Sequence, residues 1–338
     1  MKKCLFIIMA IFLISGCKAK DDSTNVIKEF INNVNHSKSY KLSGKMELLN
    51  DEETFNYTID VSYLSKDYYK VEMLNTTNEH KQIILKNDDG LYVVTPSLNK
   101  SFKFESTWPD NSSQAYILSS LVKDIENDNE SSVSKQDDLK VIKSKVNYPN
   151  NDDLQYQKIY LDEKYNIKKV EVYGESDLPK IKVVLDDVDL KAGLKSDEFD
   201  LKNYVSNTEC EEDNCETEET LSKIENAIYP LYMPSNTYLS SSEVVNTEQD
   251  SRVILTFSGD KNFVIVEESA SASAEHEIIP VYGEPLMLND TIAALSSNSM
   301  YWTSNSIDYY IVSDDLSISE MVFIATSLGN SQATLATK

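Results

Sequence analysis

The hydrophobic positions near the start of the chain recur every three to four residues. They follow the capping candidates Asp22 and Ser23 and share one helical face: Val26, Ile27, Phe30, Ile31 and Val34. This spacing predicts an amphipathic helix of about three turns.

The hydrophobic period then changes to two residues. From residue 54 to residue 63, apolar side chains alternate with polar ones, and the apolar set is Phe55, Tyr57, Ile59, Val61 and Tyr63. Strict alternation is typical of a strand with one buried face. Shorter apolar runs at residues 69–73, 83–85, 91–94 and 102–104, with a turn at 87–90, extend this strand into an antiparallel meander.

A second helical stripe and three further strands complete this part of the chain. The stripe comprises Ile117, Leu118, Leu121, Val122 and Ile125 and predicts a helix lying across one face of the sheet. The polar tract at residues 127–138 is predicted to be a loop. Strands are predicted at residues 155–161, 167–173 and 181–185, with a turn at 162–164 joining the first two.

A second folded unit follows an acidic stretch without apolar periodicity. It is predicted to contain a hairpin of residues 253–257 and 263–266 and strands near residues 301–302 and 309–312. Its final helix begins at Ser317, which has the capping-box spacing to Glu320. The predicted division is an export signal at 1–17, a first domain at 22–203, an acidic linker at 204–222 and a small α+β domain at 223–330.

The N-terminus has the features of a bacterial lipoprotein signal. Two lysines precede an apolar run of about 11 residues, which is too short for the roughly 20 that a spanning helix needs. Ser15 and Gly16 stand directly before Cys17, as in a lipobox. Cys17 is therefore the predicted site of lipid attachment, and the mature protein is expected at the outer face of the cytoplasmic membrane, held by a diacylated cysteine.

Two other cysteines remain after the signal is removed. Cys210 and Cys215 lie within the acidic stretch, and the exported location permits a disulfide between them. Free thiols, or metal or redox chemistry, are the alternatives that the sequence leaves open.

The charge of the chain restricts its partners. Lys and Arg number 32 against 56 Asp and Glu, which gives a net charge of −24 and disfavours nucleic acid. Arg252 is the only arginine, and the eight glycines form no phosphate-binding loop. Three scattered histidines give no metal or catalytic constellation, and Glu275-His276-Glu277 is expected to be a surface loop. No cofactor, no metal site and no enzymatic activity are predicted.

Several segments together resemble the LolA-like fold over roughly residues 22–202. They are the lipobox, the first helix, the long alternating strand, residues 86–96 with 100–102, and the closing segments 183–188 and 197–199. More narrowly, the chain resembles Gram-positive lipoproteins of the YdcC sporulation type and the germination lipoprotein GerS. The second half, with Tyr229-Pro230, Met233-Pro234, Trp302 and the last helix, is similar to the DUF4367 module. The two-domain layout also resembles the RseB sensors.

The resemblance implies an α+β fold in which a half-open antiparallel barrel wraps around helices. In the family's carriers, the apolar concave face holds acyl chains. The residues predicted for such a cleft are Phe55, Tyr57, Ile59, Val61, Tyr63, Tyr69, Val71, Met73 and Tyr92. The alternative is that these tyrosines cover sheet faces in a domain with a thin core.

Three functions remain open. The favoured one is a membrane-anchored, non-catalytic scaffold or sensor that binds an envelope protein in sporulation or germination. The partner suggested by the resemblance is a cell-wall amidase, because a related lipoprotein supports such an enzyme. A membrane-bound regulator is the other partner class. The second is binding of a lipid or acylated peptide in the concave face. The third is an envelope enzyme, for which no residue set meets the geometric requirements.

Overall fold

Two β-sheets and three α-helices make up the part of the protein that the structure describes. The computed structural model describes residues 19–49, 53–205, 224, 226–246, 251–273 and 275–330. One sheet has 12 strands and the other has seven. The predicted α+β class is confirmed. None of the helices in these ranges combines the length and the apolarity needed to cross a membrane.

The first half contributes two helices and eleven strands. The helices are α1 (Ala19–Asn35) and α2 (Leu118–Asn127). The strands are β1 (Ser39–Leu49), β2 (Thr54–Leu64), β3 (Tyr68–Asn75), β4 (Lys81–Asn87), β5 (Gly90–Thr95), β6 (Lys100–Phe104), β7 (Ser132–Gln136), β8 (Leu139–Lys145), β9 (Tyr156–Leu161), β10 (Ile167–Tyr173) and β11 (Pro179–Asp189). Short 3-10 turns occupy Pro96–Leu98, Ser196–Phe199 and Leu201–Asn203.

The second half contributes eight strands and one helix. The strands are β12 (Thr237–Asn246), β13 (Ser251–Gly259), β14 (Phe263–Ser269), β15 (Glu277–Val281), β16 (Glu284–Met287), β17 (Ile292–Leu295), β18 (Ser299–Ser304) and β19 (Ile307–Val312). The helix is α3 (Ile318–Asn330).

The large sheet follows the order β15-β6-β5-β4-β3-β2-β1-β11-β10-β9-β8-β7 and is open at both ends. Its strands alternate as the sequence requires: Tyr57, Ile59 and Val61 of β2 are buried, and Asp60 between them is exposed. The pairing of β1 with β11 has a register shift between Ser43 and Gly44. A Cβ at Gly44 would lie 2.2 Å from the carbonyl oxygen of Val184, so glycine is required there.

Helices α1 and α2 pack on one face of the large sheet. Val26, Phe30 and Val34 of α1 are buried in the same core as Leu121 and Ile125 of α2. A separate cluster lies on the opposite face, where Phe199 and Leu194 cover β4 and β5. The sequence predicted the apolar stripes of both helices, and both stripes contribute to the core that α1 and α2 share.

The smaller sheet has the order β12-β13-β14-β19-β18-β17-β16, with every neighbouring pair antiparallel. Met321, Ile324 and Leu328 of α3 pack against its inner face. The predicted capping box is confirmed, because Ser317 Oγ accepts the Glu320 N–H at 3.2 Å and Glu320 Oε2 accepts the Ser317 N–H at 2.8 Å.

One strand of the second half joins the large sheet. β15 pairs in parallel with β6, from Glu277 opposite Lys100 to Val281 opposite Phe104. All other neighbouring pairs of the large sheet are antiparallel. The two halves of the chain are therefore tied together by a backbone ladder as well as by side chains.

The prediction that residues 127–138 form a loop is wrong in part. Residues Ser132–Gln136 form β7, which pairs with β8 at the edge of the large sheet. Four of its five side chains are exposed and only Val133 is half-buried. An edge strand that is solvent-exposed on both faces has no alternation of apolar and polar residues, so the hydrophobic periodicity of the sequence could not reveal it.

Candidate functional site

A cavity of about 380 Å³ lies between the large sheet and the second half of the chain. Its apolar walls come from both halves: Leu48, Leu49, Phe55, Ile84, Trp108, Tyr116, Tyr148, Pro149, Leu154, Ile181, Pro285, Leu286, Met287, Leu288, Ile292, Val322 and Phe323. Ligand pockets in proteins commonly measure about 300–1,000 Å³ and are mostly apolar. The size and the lining both suit a binding site.

Regular secondary structure forms part of the cavity wall. Leu48 and Phe55 face each other across the β1–β2 pair. Opposite them, β16 supplies Leu286 and Met287, and α3 supplies Phe323. These residues sit on strands and a helix, whereas Asn111, Ser112 and residues 148–154 of the lining lie in irregular segments.

Phe323 is an exposed aromatic residue of this lining, which also includes the exposed residues Pro149, Asn151 and Asp153. Its side chain is 49% exposed, and its ring centroid lies 5.4 Å from that of Tyr232. Tyr229 and Leu231, from the proline-rich segment before β12, are also exposed. An apolar surface at the edge of an apolar cavity is typical of an interaction site.

Amide and aliphatic hydroxyl groups also line the cavity. Those from the first half belong to Asn111, Ser112, Gln114, Asn150 and Asn151, and those from the second half belong to Asn289 and Thr326. Gln114 Oε1 accepts the Tyr116 hydroxyl at 2.8 Å. Asn111 Oδ1 is buried and has no hydrogen-bond donor among the described residues. Since buried polar atoms are normally paired, this oxygen could accept a donor from a bound ligand.

A buried polar clamp fixes the wall of the cavity that the second half provides. Gln82 Oε1 accepts the Ile292 N–H at 2.7 Å and the Thr291 hydroxyl at 3.2 Å. Gln82 is 5% exposed and Thr291 is 1% exposed. Nearby, the Tyr57 hydroxyl donates to the Asn289 carbonyl at 2.7 Å. Burial raises the pKa of Tyr57, so this hydroxyl keeps its proton.

Further polar contacts join the halves around β6. Ser106 Oγ donates to Glu284, a residue that lines the cavity. His276 Nε2 and Ser101 Oγ are 2.8 Å apart, and burial lowers the pKa of His276. His276 is thus an interface residue and Glu275 beside it is exposed. Across the described ranges, no three His, Cys, Asp or Glu side chains are grouped to hold a metal ion.

The structure separates the residues predicted for the apolar cleft. Phe55 lines the cavity. Six others are buried in the main core, namely Tyr57, Ile59, Val61, Tyr69, Val71 and Met73. Tyr63 is half-buried between the rings of Tyr40 and Tyr69, at centroid distances of 4.8 and 5.1 Å. Tyr92 lies on the opposite face of the sheet, in the cluster with Leu194 and Phe199.

The sequence prediction did not include most of the cavity lining. Phe323 lies outside the apolar stripe of α3. An aromatic residue on the polar side of an amphipathic helix is the feature of the sequence that could have indicated an interaction site. Leu286 and Met287 belong to a four-residue strand that has no clear periodicity. Asn111 follows Pro109 in an irregular segment. Cys17, Cys210 and Cys215 lie outside the described residues, so the lipid attachment and the disulfide stay predictions.

Comparison with known proteins assigns the chain to a family. The model of the YdcC-like sporulation protein family matches residues 1–199. Sporulation protein YdcC of Bacillus subtilis (strain 168) is 31% identical over 322 residues, which cover 95% of this chain and 94% of that protein.

Two solved structures are also similar. One is the LolA superfamily protein NE2245 from Nitrosomonas europaea, at 11% identity, covering 53% of this chain and 98% of that chain with a TM-score of 0.32. The other is the complex of the CwlD amidase from Clostridioides difficile with the GerS lipoprotein, at 18% identity, 48% and 93% coverage and a TM-score of 0.23. Both TM-scores are low, so the assignment rests on the family model and on the sequence identity. The chain belongs to the YdcC-like family of sporulation proteins.

Proposed function

We propose that this protein is a non-catalytic envelope lipoprotein that acts in sporulation as a scaffold or sensor for a protein partner. In this proposal Cys17 carries the lipid and holds the protein at the outer face of the cytoplasmic membrane. The observation that carries the proposal is the cavity between the halves, with Phe323 exposed at its edge.

The chemistry of the cavity suggests what it binds. Aliphatic and aromatic walls suit an apolar segment, and exposed aromatic rings are common anchors at protein interfaces. The amide groups and Asn111 Oδ1 could receive backbone or side-chain donors of the same segment. The net charge of −24 favours a partner whose contact region is basic. A cell-wall amidase and a membrane-bound regulator are the partner classes proposed from the family resemblance.

Photo-crosslinking in sporulating cells of the native host tests this proposal. A benzophenone amino acid replaces Phe323 in one strain and Val312 in a control strain. Both side chains are 49% exposed, but Val312 lies on β19, away from the cavity lining. We expect a discrete protein adduct from position 323 and none from position 312. Equal adducts from both positions, or none from position 323, would contradict the proposal.

A second candidate function is binding of a lipid or an acylated peptide in the same cavity. The favouring observation is the predominance of aliphatic and aromatic side chains in the lining. Native mass spectrometry of the ectodomain beginning after Cys17, isolated from host membranes under mild conditions, distinguishes the two. A bound mass equal to a lipid or lipopeptide supports this candidate, and a ligand-free mass leaves the protein partner as the function.

A further inference from the structure

The four strands at the sheet edges differ in how well they are protected. In the described ranges, β7, β15, β12 and β16 each pair on one side only. β7 exposes polar and charged side chains such as Lys135, β15 contains Pro280, and β16 has only four residues. Charge, proline and short length are the usual ways of blocking an edge.

β12 has the character of an accessible edge. It spans ten residues, all of them half-exposed or fully exposed, and within the described part of the chain it pairs only with β13. The exposed fractions of its apolar side chains are large: 62% for Tyr238, 39% for Leu239, 55% for Val244 and 46% for Val245. Four exposed apolar residues on one edge strand favour pairing with another strand.

The pairing of β12 with β13 fixes the face on which each side chain lies. Leu239 and Val244 are opposite the buried residues Phe257 and Val253, so they lie on the inner face of the sheet. Tyr238 and Val245 are opposite Ser258 and Arg252, on the outer face. Each face of β12 therefore carries one apolar residue near each end of the strand.

A bulge at Ser240 makes the two ends of β12 equivalent. The register shifts between Leu239 and Ser241, and Ser240 Oγ donates to the Thr256 carbonyl at 3.0 Å. When the bulged residue Ser240 is not counted, Leu239 and Val244 are each two positions from Ser242. Tyr238 and Val245 are then each three positions from it. Residues at equal distances from Ser242 then lie on the same face, which antiparallel pairing requires.

We propose that β12 pairs antiparallel with β12 of a second copy of this chain, around a two-fold axis at Ser242. Tyr238 of one copy then lies opposite Val245 of the other, and Leu239 lies opposite Val244. The single charged residue of the strand, Glu243, lies opposite Ser241, so no like charges meet directly. The two seven-stranded sheets become one continuous sheet across the two copies.

The net charge of each copy sets how this contact depends on salt. Two copies that each carry a net charge of −24 repel one another. Salt weakens this repulsion, and the screening length is about 8 Å at physiological ionic strength. The dimer is therefore expected to become tighter as the salt concentration rises. An association based on attraction between opposite charges would weaken instead.

A charge-exchange experiment tests the register directly. The ectodomain beginning after Cys17 is prepared as wild type, Leu239→Lys and Val244→Glu, and molar mass is measured by light scattering during gel filtration. We expect a dimer for the wild type and a monomer for each variant, because each places a charge in the apolar contact. Mixing the two variants should restore a dimer, since the introduced lysine of one copy then faces the introduced glutamate of the other.

Both substituted positions are exposed, so the variants are expected to keep the wild-type circular dichroism spectrum. A monomeric wild type at all salt concentrations tested would overturn the proposal. A dimer that survives both single substitutions would also overturn it, and so would two folded variants that fail to associate when mixed.

Discussion

The buried clamp at Gln82 is predicted to hold the two halves of the chain in one cooperative unit. Replacing Gln82 with Leu keeps a side chain of similar size and removes the acceptor for the Ile292 N–H and the Thr291 hydroxyl. Both donors are then buried without a partner at the junction of the two sheets.

The expected size of the effect follows from these contacts. A buried donor left without its acceptor costs about 1–3 kcal/mol, so the two together cost about 2–6 kcal/mol. The lower part of that range is more realistic, because the Thr291 hydroxyl can rotate toward another acceptor. Even about 2 kcal/mol is a large fraction of the roughly 5–15 kcal/mol that is typical of a folded domain.

The two tryptophans allow each half to be followed separately. Trp108 is buried in the main core and Trp302 is buried in the core of the second half. Denaturant unfolding is recorded by fluorescence in Trp108→Phe and Trp302→Phe backgrounds. With Gln82 intact, we expect the two transitions to coincide. With Gln82→Leu, the transition reported by Trp302 should move to lower denaturant than that reported by Trp108.

Gln157 provides a matched control. It is 1% exposed and its Nε2 donates to Asp124 at 3.1 Å and to Ser144 at 3.2 Å, entirely within the first half. Gln157→Leu should destabilise the protein without separating the two transitions. If Gln82→Leu leaves the transitions coincident, or if Gln157→Leu separates them equally, the clamp does not couple the halves.

Two further predictions concern buried and capping groups in the second half. Burial raises the pKa of Glu267 to about 7 in the folded state, above its ordinary value of 4.5. Between about pH 4.5 and pH 7 this carboxyl is ionised in the unfolded chain and protonated in the folded chain. The free energy of unfolding therefore falls as the pH rises, by about 3 kcal/mol at most. Glu267→Gln should remove this decrease in denaturation curves taken from about pH 5 to pH 8, and parallel pH profiles for the two proteins would refute the assignment. Ser317→Ala removes the cap of α3 and should lower the free energy of unfolding by about 1 kcal/mol; an unchanged denaturation midpoint would show that the cap does not contribute.

The elements predicted well were those with a strong local signal. β2 alternates from Thr54 to Tyr63, the hairpin of β13 and β14 carries a Gly-containing turn, and α3 begins at a capping box. In each, neighbouring residues alone favour one local structure. The sequence prediction missed β1, which contains Gly44 and three charged residues, and β12, which contains three consecutive serines.

The cavity could not be predicted because its walls depend on contacts between distant parts of the chain. β15 pairs with β6 although the two strands are far apart in sequence, and Gln82 contacts Thr291 across 209 residues. Nothing in the local pattern at either end specifies such a pairing. The predicted cleft relied on the apolar face of β2 and β3, and that face is largely occupied by the core beneath α1 and α2.

In the proposed function, the cavity between the halves binds a partner needed for sporulation. The most direct measurement is the yield of heat-resistant spores from host strains that carry Phe323→Glu or Val312→Glu at equal protein levels. Both positions are equally exposed, and only Phe323 lines the cavity. We predict that Phe323→Glu lowers the yield to that of a deletion strain and that Val312→Glu keeps the wild-type yield. A wild-type yield from Phe323→Glu, or the same loss from both variants, would contradict the account.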